Sequence, residues 1–231
     1  MKPRTSRLTE LYQLGTETAG ILELLRKFWP NPGQYLTCQA ADETLEVLPH
    51  HLFRVIGSPN TLNLGLIPTG WAPGDEITFL PPQGRGFSPP ETVHRAALLA
   101  MGVSPARLLP LISTVNSSRA SITLFCDPAP AKDLLNFIPS AVEVASVADL
   151  QENLDWPDYL AVDLELPGLP EFSKALNWEL FQGEAQALIR TAMPCHGVGN
   201  CGVCSVKTNR GWRLACTDGP VFNLNEVLDV A

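Results

Sequence analysis

Four cysteines gathered in one glycine-rich stretch constrain this chain more than any other feature. Cys195, Cys201 and Cys204 lie in Met193-Pro194-Cys195-His196-Gly197-Val198-Gly199-Asn200-Cys201-Gly202-Val203-Cys204, and Cys216 follows in Leu214-Ala215-Cys216-Thr217-Asp218-Gly219-Pro220-Val221-Phe222. The other two cysteines, Cys38 and Cys126, stand alone. Thiolates bind soft metals, and glycines let the backbone wrap closely and turn amide N–H groups toward sulfur. The chain therefore divides into a scaffold and a C-terminal chemical segment.

The plant-type [2Fe–2S] spacing is C-x4-C-x2-C followed by a distant fourth cysteine. Cys201 and Cys204 fit the C-x2-C pair, and Cys216 supplies the distant ligand. Counting back from Cys201 by the plant-type step lands on His196, not Cys195. Either the loop carries one extra residue and Cys195 ligates, or His196 ligates and the site is Cys3His. Cys195 is favoured, because thiolate is the usual ligand and a glycine-rich loop tolerates an insertion. Ligation by His196 would raise the potential and make it pH-dependent, as nitrogen ligation does in Rieske centres. Structural zinc competes for four such cysteines, but zinc ribbons pair two C-x2-C knuckles and the second is missing here. The expected ligand set is Cys195, Cys201, Cys204 and Cys216 around a [2Fe–2S] cluster. Cys38 and Cys126 sit in apolar strands and read as small buried hydrophobes.

The 231 residues carry 16 Lys and Arg against 24 Asp and Glu, a net charge of −8, with 45% hydrophobic and 17% charged residues. That is a foldable composition, and its length accommodates one large unit or two to three small ones. No clustered Lys/Arg run exists to neutralise phosphates, which argues against nucleic acid as a partner. The longest clean apolar run, Ala96 to Val103, is far short of the roughly 18 residues of a spanning helix, so no membrane partner is expected. No apolar segment follows Met1-Lys2-Pro3-Arg4, so no export signal is read. The expected location is the cytoplasm, where cysteines serve metal or redox chemistry more often than disulfides. The 21 prolines, nearly twice the usual share of about 5%, favour short elements and tight turns.

Three units are expected along the chain. Residues 1–88 read as a small antiparallel barrel or sandwich, with strands at Glu17–Leu25, Tyr35–Gln39, Leu62–Ile67 and Glu76–Leu80. Turns at Pro30-Asn31-Pro32-Gly33 and Pro73-Gly74-Asp75 punctuate them. Residues 89–182 alternate between strand and helix, which implies a parallel sheet with right-handed crossovers. The apolar run Ala96–Leu99 comes first, and Ser104-Pro105 opens a helix to Val115 with Ser at the N-cap and Pro at the first helical position. Strands at Ser121–Phe125, Val142–Ala145 and Tyr159–Leu164 alternate with helices at Ala131–Phe137, Ala148–Leu154 and Pro170–Leu176. Residues 183–231 form the cluster unit, entered through a helical stretch from Ala185 to Arg190. The fold class is thus α+β and multidomain.

These residues together resemble the electron-transfer subunit of type B dihydroorotate dehydrogenase, a relative of ferredoxin-NADP reductases. The Met-Pro-Cys lead-in, the glycine-rich cysteine loop and the tail from Cys216 to Phe222 carry the likeness. Pro32-Gly33-Gln34-Tyr35, Gly74-Asp75 and Pro82-Gln83-Gly84-Arg85-Gly86-Phe87 echo the family upstream. The resemblance implies a flavin barrel, a nucleotide-type α/β domain and a [2Fe–2S] domain. In that family NADH reduces FAD, and the cluster carries electrons to a separate FMN-containing catalytic subunit that oxidises dihydroorotate to orotate. The chain would then be the non-catalytic, electron-transfer member of a hetero-oligomer in pyrimidine biosynthesis. No Ser/His/Asp or paired-carboxylate constellation stands out against that reading. Other flavin or hydrogenase-type complexes use related subunits, and a zinc-stabilised interaction module is the reading without redox chemistry.

The family's flavin grip is Arg-x-x-Ser, of which Arg54-Val55-Ile56-Gly57 keeps the arginine and loses the hydroxyl, with Ser58 following. Arg54 is the expected FAD contact, pairing with pyrophosphate. The nicotinamide motif survives only as Gly102 and Pro105 of Leu98–Pro105. The family's Cys-Gly-Pro appears here as Asp163-Leu164-Glu165, whose carboxylates would repel a dinucleotide's phosphates. NAD is therefore not expected as a cofactor, and the α/β unit reads as a retained scaffold.

Overall fold

The structure, a computed structural model, describes residues 2–15, 17–43, 48–58, 61–65, 67–68, 70–102, 104–116, 119–195, 197, 199 and 201–228, the side chains of 56–58, 61–65 and 116 excepted. Six strands come first: β1 (Arg4–Leu14), β2 (Glu17–Leu22), β3 (Tyr35–Ala40), β4 (His50–Ser58), β5 (Thr61–Gly65) and β6 (Glu76–Phe79). They close into an antiparallel barrel in the order β1-β2-β5-β4-β3-β6, with β6 returning to β1. Closure leaves no open edge. Leu8, Leu22, Leu36, Leu52, Ile77 and Phe79 fill the interior. The sequence reading missed β1 because only Leu8 and Leu14 of its 11 residues are buried, so it shows no apolar alternation.

A six-stranded sheet follows. Along the chain run β7 (Arg95–Met101), α1 (Leu109–Asn116), β8 (Ser121–Asp127), α2 (Lys132–Leu135), β9 (Val142–Ala145), α3 (Val147–Glu152), β10 (Tyr159–Glu165), α4 (Leu169–Ala175) and β11 (Glu184–Arg190). A separate two-stranded hairpin, β12 (Ser205–Thr208) and β13 (Gly211–Leu214), comes next, and β14 (Val221–Asn223) and α5 (Leu224–Leu228) follow it. The sheet order is β14-β11-β10-β7-β8-β9, parallel except at β14. Strand order therefore reverses between β7 and β10, which opens a crevice at the carboxyl ends of those strands. The Ser104 cap behaves as expected: its Oγ accepts from the Ala106 N–H, and Pro105 begins the 3-10 turn that leads to α1. Ser146 and Asp149 form a reciprocal capping box at α3.

One expectation is corrected. Ala185–Arg190 is not a helix but β11, paired in parallel with β10 from Tyr159↔Glu184 to Glu165↔Arg190. Its Ala, Gln and Leu residues are good helix formers, yet Ala187, Leu188 and Ile189 are fully buried between β10 and β14. Sheet burial overrides the weak helical preference. The sheet thus runs on beyond residue 182. The same core that fills it includes Cys204, Val206, Ala215, Cys216, Val221 and Phe222, so the cysteine segment is packed against the sheet. Among the described residues no helix is long and apolar enough to cross a membrane.

Candidate metal centre

The β12–β13 hairpin brings the last two cysteines together. Its register pairs Ser205 with Leu214, and the Ala215 N–H donates to the Cys204 carbonyl at 3.0 Å. Past β13 the chain turns sharply: the N–H groups of Thr217, Asp218 and Gly219 all donate to the Leu214 carbonyl, while the Asp218 carboxylate accepts from the Leu214 N–H at 2.9 Å. A Cβ on Gly219 would collide with the Phe222 ring, so this turn requires glycine. The Cys216-to-Phe222 motif is therefore a folding instruction that places Cys216 beside Cys204, with the sulfurs 3.3 Å apart and both buried.

A tetrahedral metal with bonds of about 2.3 Å to sulfur separates two thiolates by roughly 3.8 Å. The Cys204–Cys216 pair needs to open by only about half an ångström to take one metal between them. On the outer side, Cys195 lies within hydrogen-bonding reach of the Cys201 side chain and donates to the Gly199 carbonyl at 2.9 Å. Cys201 is exposed and Cys195 half-buried.

The two pairs differ chemically. The Cys195 thiol is lowered to about 7, first by its hydrogen bond with Cys201 and next by the Gly199 backbone, so it ionises near neutrality. Burial, reinforced by Cys204, pushes Cys216 up to about 12. Metal insertion must therefore displace the proton from Cys216. Among the described residues no three His, Cys, Asp or Glu side chains converge as ligands of one ion. Cys204 with Cys216 and Cys195 with Cys201 make two thiol pairs, a donor set that would suit the four thiolates of a [2Fe–2S] cluster. His196 lies outside the described residues. Cys38 and Cys126 are buried in β3 and β8, where desolvation pushes Cys126 up to about 12 and raises Cys38 as well. Both are packing residues.

The barrel meets the metal centre at Tyr35. Its hydroxyl, fully buried, donates to the Cys216 carbonyl at 3.3 Å, and burial followed by the neighbouring thiols of Cys216, Cys204 and Cys195 keeps it protonated. The Arg85 N–H donates to the Gly219 carbonyl, and Gly84, at φ +74, admits Pro220 where a Cβ would stand 2.6 Å from it. The upstream motifs are thus the barrel's attachment to the cysteine segment. Sequence reasoning quoted Tyr35 and Asp218 inside motifs without giving either a role.

Arg54, on β4, is half-buried, with its guanidinium 5.7 Å from the centre of the Trp29 ring. Its Nε is buried without a hydrogen-bond partner, and no carboxylate pairs with it among the described residues. Burial lowers its pKa. A desolvated guanidinium with no carboxylate partner, beside an indole, suits an oxyanion, so Arg54 fits the pyrophosphate of FAD. The Ser58 side chain lies outside the described residues. Trp29, missed in the sequence, is the residue that holds this arginine in place.

At the carboxyl ends of β7 and β10 the two carboxylates expected to repel phosphate differ from each other. Asp163 is fully buried, accepting from Arg107 Nη1 at 3.3 Å and from Arg190 Nε at 2.8 Å. Arg190 Nη1 pairs with Glu165 at 3.2 Å, and Arg107 Nη2 pairs with Glu17 of the barrel at 3.1 Å. Only Glu165 presents an exposed carboxylate. Neither arginine carried a sequence signal, because arginine is mostly a surface residue.

Residues 191–228 match the family described as the iron–sulfur cluster binding domain of dihydroorotate dehydrogenase B. The electron transfer subunit of dihydroorotate dehydrogenase B (NAD(+)) from Desulforamulus reducens is 27% identical over 193 residues, covering 74% of this chain and 71% of the relative. The subunit of the same name from Clostridium perfringens is 28% identical over 166 residues, covering 67% of each. Sulfhydrogenase 1 subunit gamma of Pyrococcus furiosus is 24% identical, covering 68% of this chain and 64% of the relative. A solved NADH-dependent reduced ferredoxin-NADP oxidoreductase superposes with a TM-score of 0.75 at 17% identity, over 96% of this chain and 89% of its own. These likenesses bear out the resemblance drawn from the motifs and the fold class drawn from the element order.

Proposed function

We propose that this chain is the electron-transfer subunit of a dihydroorotate dehydrogenase complex of pyrimidine biosynthesis, acting in the cytoplasm through a [2Fe–2S] cluster on Cys195, Cys201, Cys204 and Cys216. FAD is its second group, seated on the barrel at Arg54. The working division is a flavin barrel at 1–88, an α/β scaffold at 89–182 and a cluster unit at 183–231 that lends β11 and β14 to the sheet. The single observation carrying this reading is the pair of thiol pairs inside a segment that matches an iron–sulfur binding domain.

When bound, the cluster exchanges single electrons, and FAD links that exchange to two-electron chemistry. The chain's own residues hold and shield. Buried Cys204 and Cys216 anchor the inner side and keep water away, while exposed Cys201 and Val203, the latter 55% exposed, bring the outer rim to the surface where a partner can approach. Tyr35, bridging barrel and Cys216 backbone, fixes the spacing between the flavin seat and the thiols. Trp29 and Arg54 orient the phosphate end of the flavin.

Iron, sulfide, zinc and flavin measured on one anaerobic sample test this directly. The expected protein is red-brown, with visible bands that bleach with dithionite; a colourless protein holding stoichiometric zinc overturns the reading. Arg54→Gln is expected to weaken flavin binding by about 10- to 100-fold, from the roughly 1.5–3 kcal/mol of a hydrogen bond to a charged group. Flavin fluorescence titration checks this, with iron content unchanged as the control. The likeness to a sulfhydrogenase subunit supports a second reading, in which the same relay serves another flavin complex. Mixing with a purified dihydroorotate dehydrogenase catalytic subunit separates the two: a stable complex that passes electrons from dihydroorotate supports the first.

A further inference from the structure

We propose that the crevice at the carboxyl ends of β7 and β10 is an ion-pair clamp between barrel and sheet that takes no nicotinamide dinucleotide. The inference deepens the relay reading: protein-bound flavin or iron–sulfur groups are then the class of both donor and acceptor, and no hydride enters at the sheet.

A dinucleotide's phosphates need backbone N–H groups at a strand-to-helix turn, or unpaired cations. Among the described residues this crevice offers few of either. In the turn after β7, Pro105 has no N–H, the Ala106 N–H is spent on Ser104 Oγ at 3.3 Å, and the Gly102 N–H donates to the Asp127 carbonyl at 2.8 Å. The loop after β8 lines the cavity with Pro128 and Pro130, which remove two more donors. After β10 the wall is the Glu165 carboxylate.

The cations are committed as well. Arg107, 1% exposed, divides its guanidinium between Glu17 of β2 and Asp163 of β10. Arg190 pairs with Asp163 and Glu165, so that among the described residues only Arg107 Nε and Arg190 Nη2, both buried, are left unpartnered in this chain of ion pairs. The chain Glu17–Arg107–Asp163–Arg190–Glu165 sets three carboxylates against two guanidinia, a net charge of −1, where a dinucleotide would bring two further negative charges. Arg54 on the barrel is the contrasting case: it has no such partners.

The barrel also narrows the crevice. Gly15, at φ +65 in the β1–β2 turn, packs so tightly on the entry to α2 that a Cβ there would lie 3.0 Å from Ala131 Cβ. Leu14 and Glu17, from the same hairpin, line the remaining cavity of about 420 Å³. The space that strand reversal opens is thus narrowed by a hairpin that Arg107 ties to the sheet.

Two measurements on the full-length protein decide the matter. Equilibrium dialysis against NADH and NADPH, which reads binding whatever the protein's colour, is expected to show no saturable uptake; NADH is likewise expected not to bleach visible bands that dithionite bleaches. Saturable binding, or bleaching by NADH, overturns the proposal. Hydrogen exchange at residues 13–18 is expected to speed up several-fold in Glu17→Gln and to stay unchanged in Glu165→Gln, whose carboxylate does not reach the barrel. Unchanged protection in Glu17→Gln overturns the clamp even if no nucleotide binds. The relay reading fails separately, on iron and sulfide content, so the two failures cannot be confused.

Discussion

Cys204→Ser is expected to yield a colourless chain with iron near zero, whereas Cys126→Ser keeps its colour. Cys204 is buried against Cys216 at 3.3 Å, and serine oxygen is a hard, poorly ionised substitute for a thiolate. No solvent water can reach this inner position to complete the coordination. The loss extends to folding, because metal binding at a site that forms only in the folded chain contributes directly to stability. Iron content and the visible spectrum check the first part, and thermal unfolding of the two variants checks the second. The contrast with Cys126 matters: it is equally buried, but in β8 and with no second thiol beside it. A red-brown Cys204→Ser protein with normal electron delivery would remove the basis of the proposed function.

The second large effect is structural. Arg107→Met leaves Asp163, fully buried, with half its charge compensation, and strips Glu17 of its partner. Removing one member of a buried ion pair costs about 3–5 kcal/mol, since the remaining charge stays desolvated. For a chain of this size each kcal/mol shifts the midpoint by about 2–4 °C, so a fall of roughly 6–20 °C is expected in thermal unfolding. Pairing the change with Asp163→Leu should recover much of the loss, because an apolar pair of similar volume avoids the desolvation cost. Glu17, with 20% of its side chain exposed, can be solvated in the double variant. Additive effects of the two substitutions would show that Arg107 and Asp163 are not coupled, and the clamp would lose its central bond.

Legibility in the sequence followed locality. The Ser104 cap, the strands β3, β8 and β9 and the parallel layout of 89–182 were readable because each depends on a few neighbouring residues. Strand β1 was hidden by its polar face, and β11 by residues that favour helices in isolation. The Asp163 and Glu165 carboxylates were readable as unfavourable to a dinucleotide, but the pairing of Asp163 with two arginines distant in sequence was not.

What the sequence determined alone is the chemical segment. Its four thiols and the turn that joins them are encoded in contiguous residues, where glycine placement and the Asp218–Leu214 hydrogen bond need no distant help. What only the tertiary structure decided is what surrounds them: Tyr35 against Cys216, Trp29 beneath Arg54, and Arg107 between Glu17 and Asp163. Each of the three joins separate elements of the chain, and burial gives it its strength. A buried charge or hydroxyl must find its partner through the fold, and spacing along the chain carries no record of that partner.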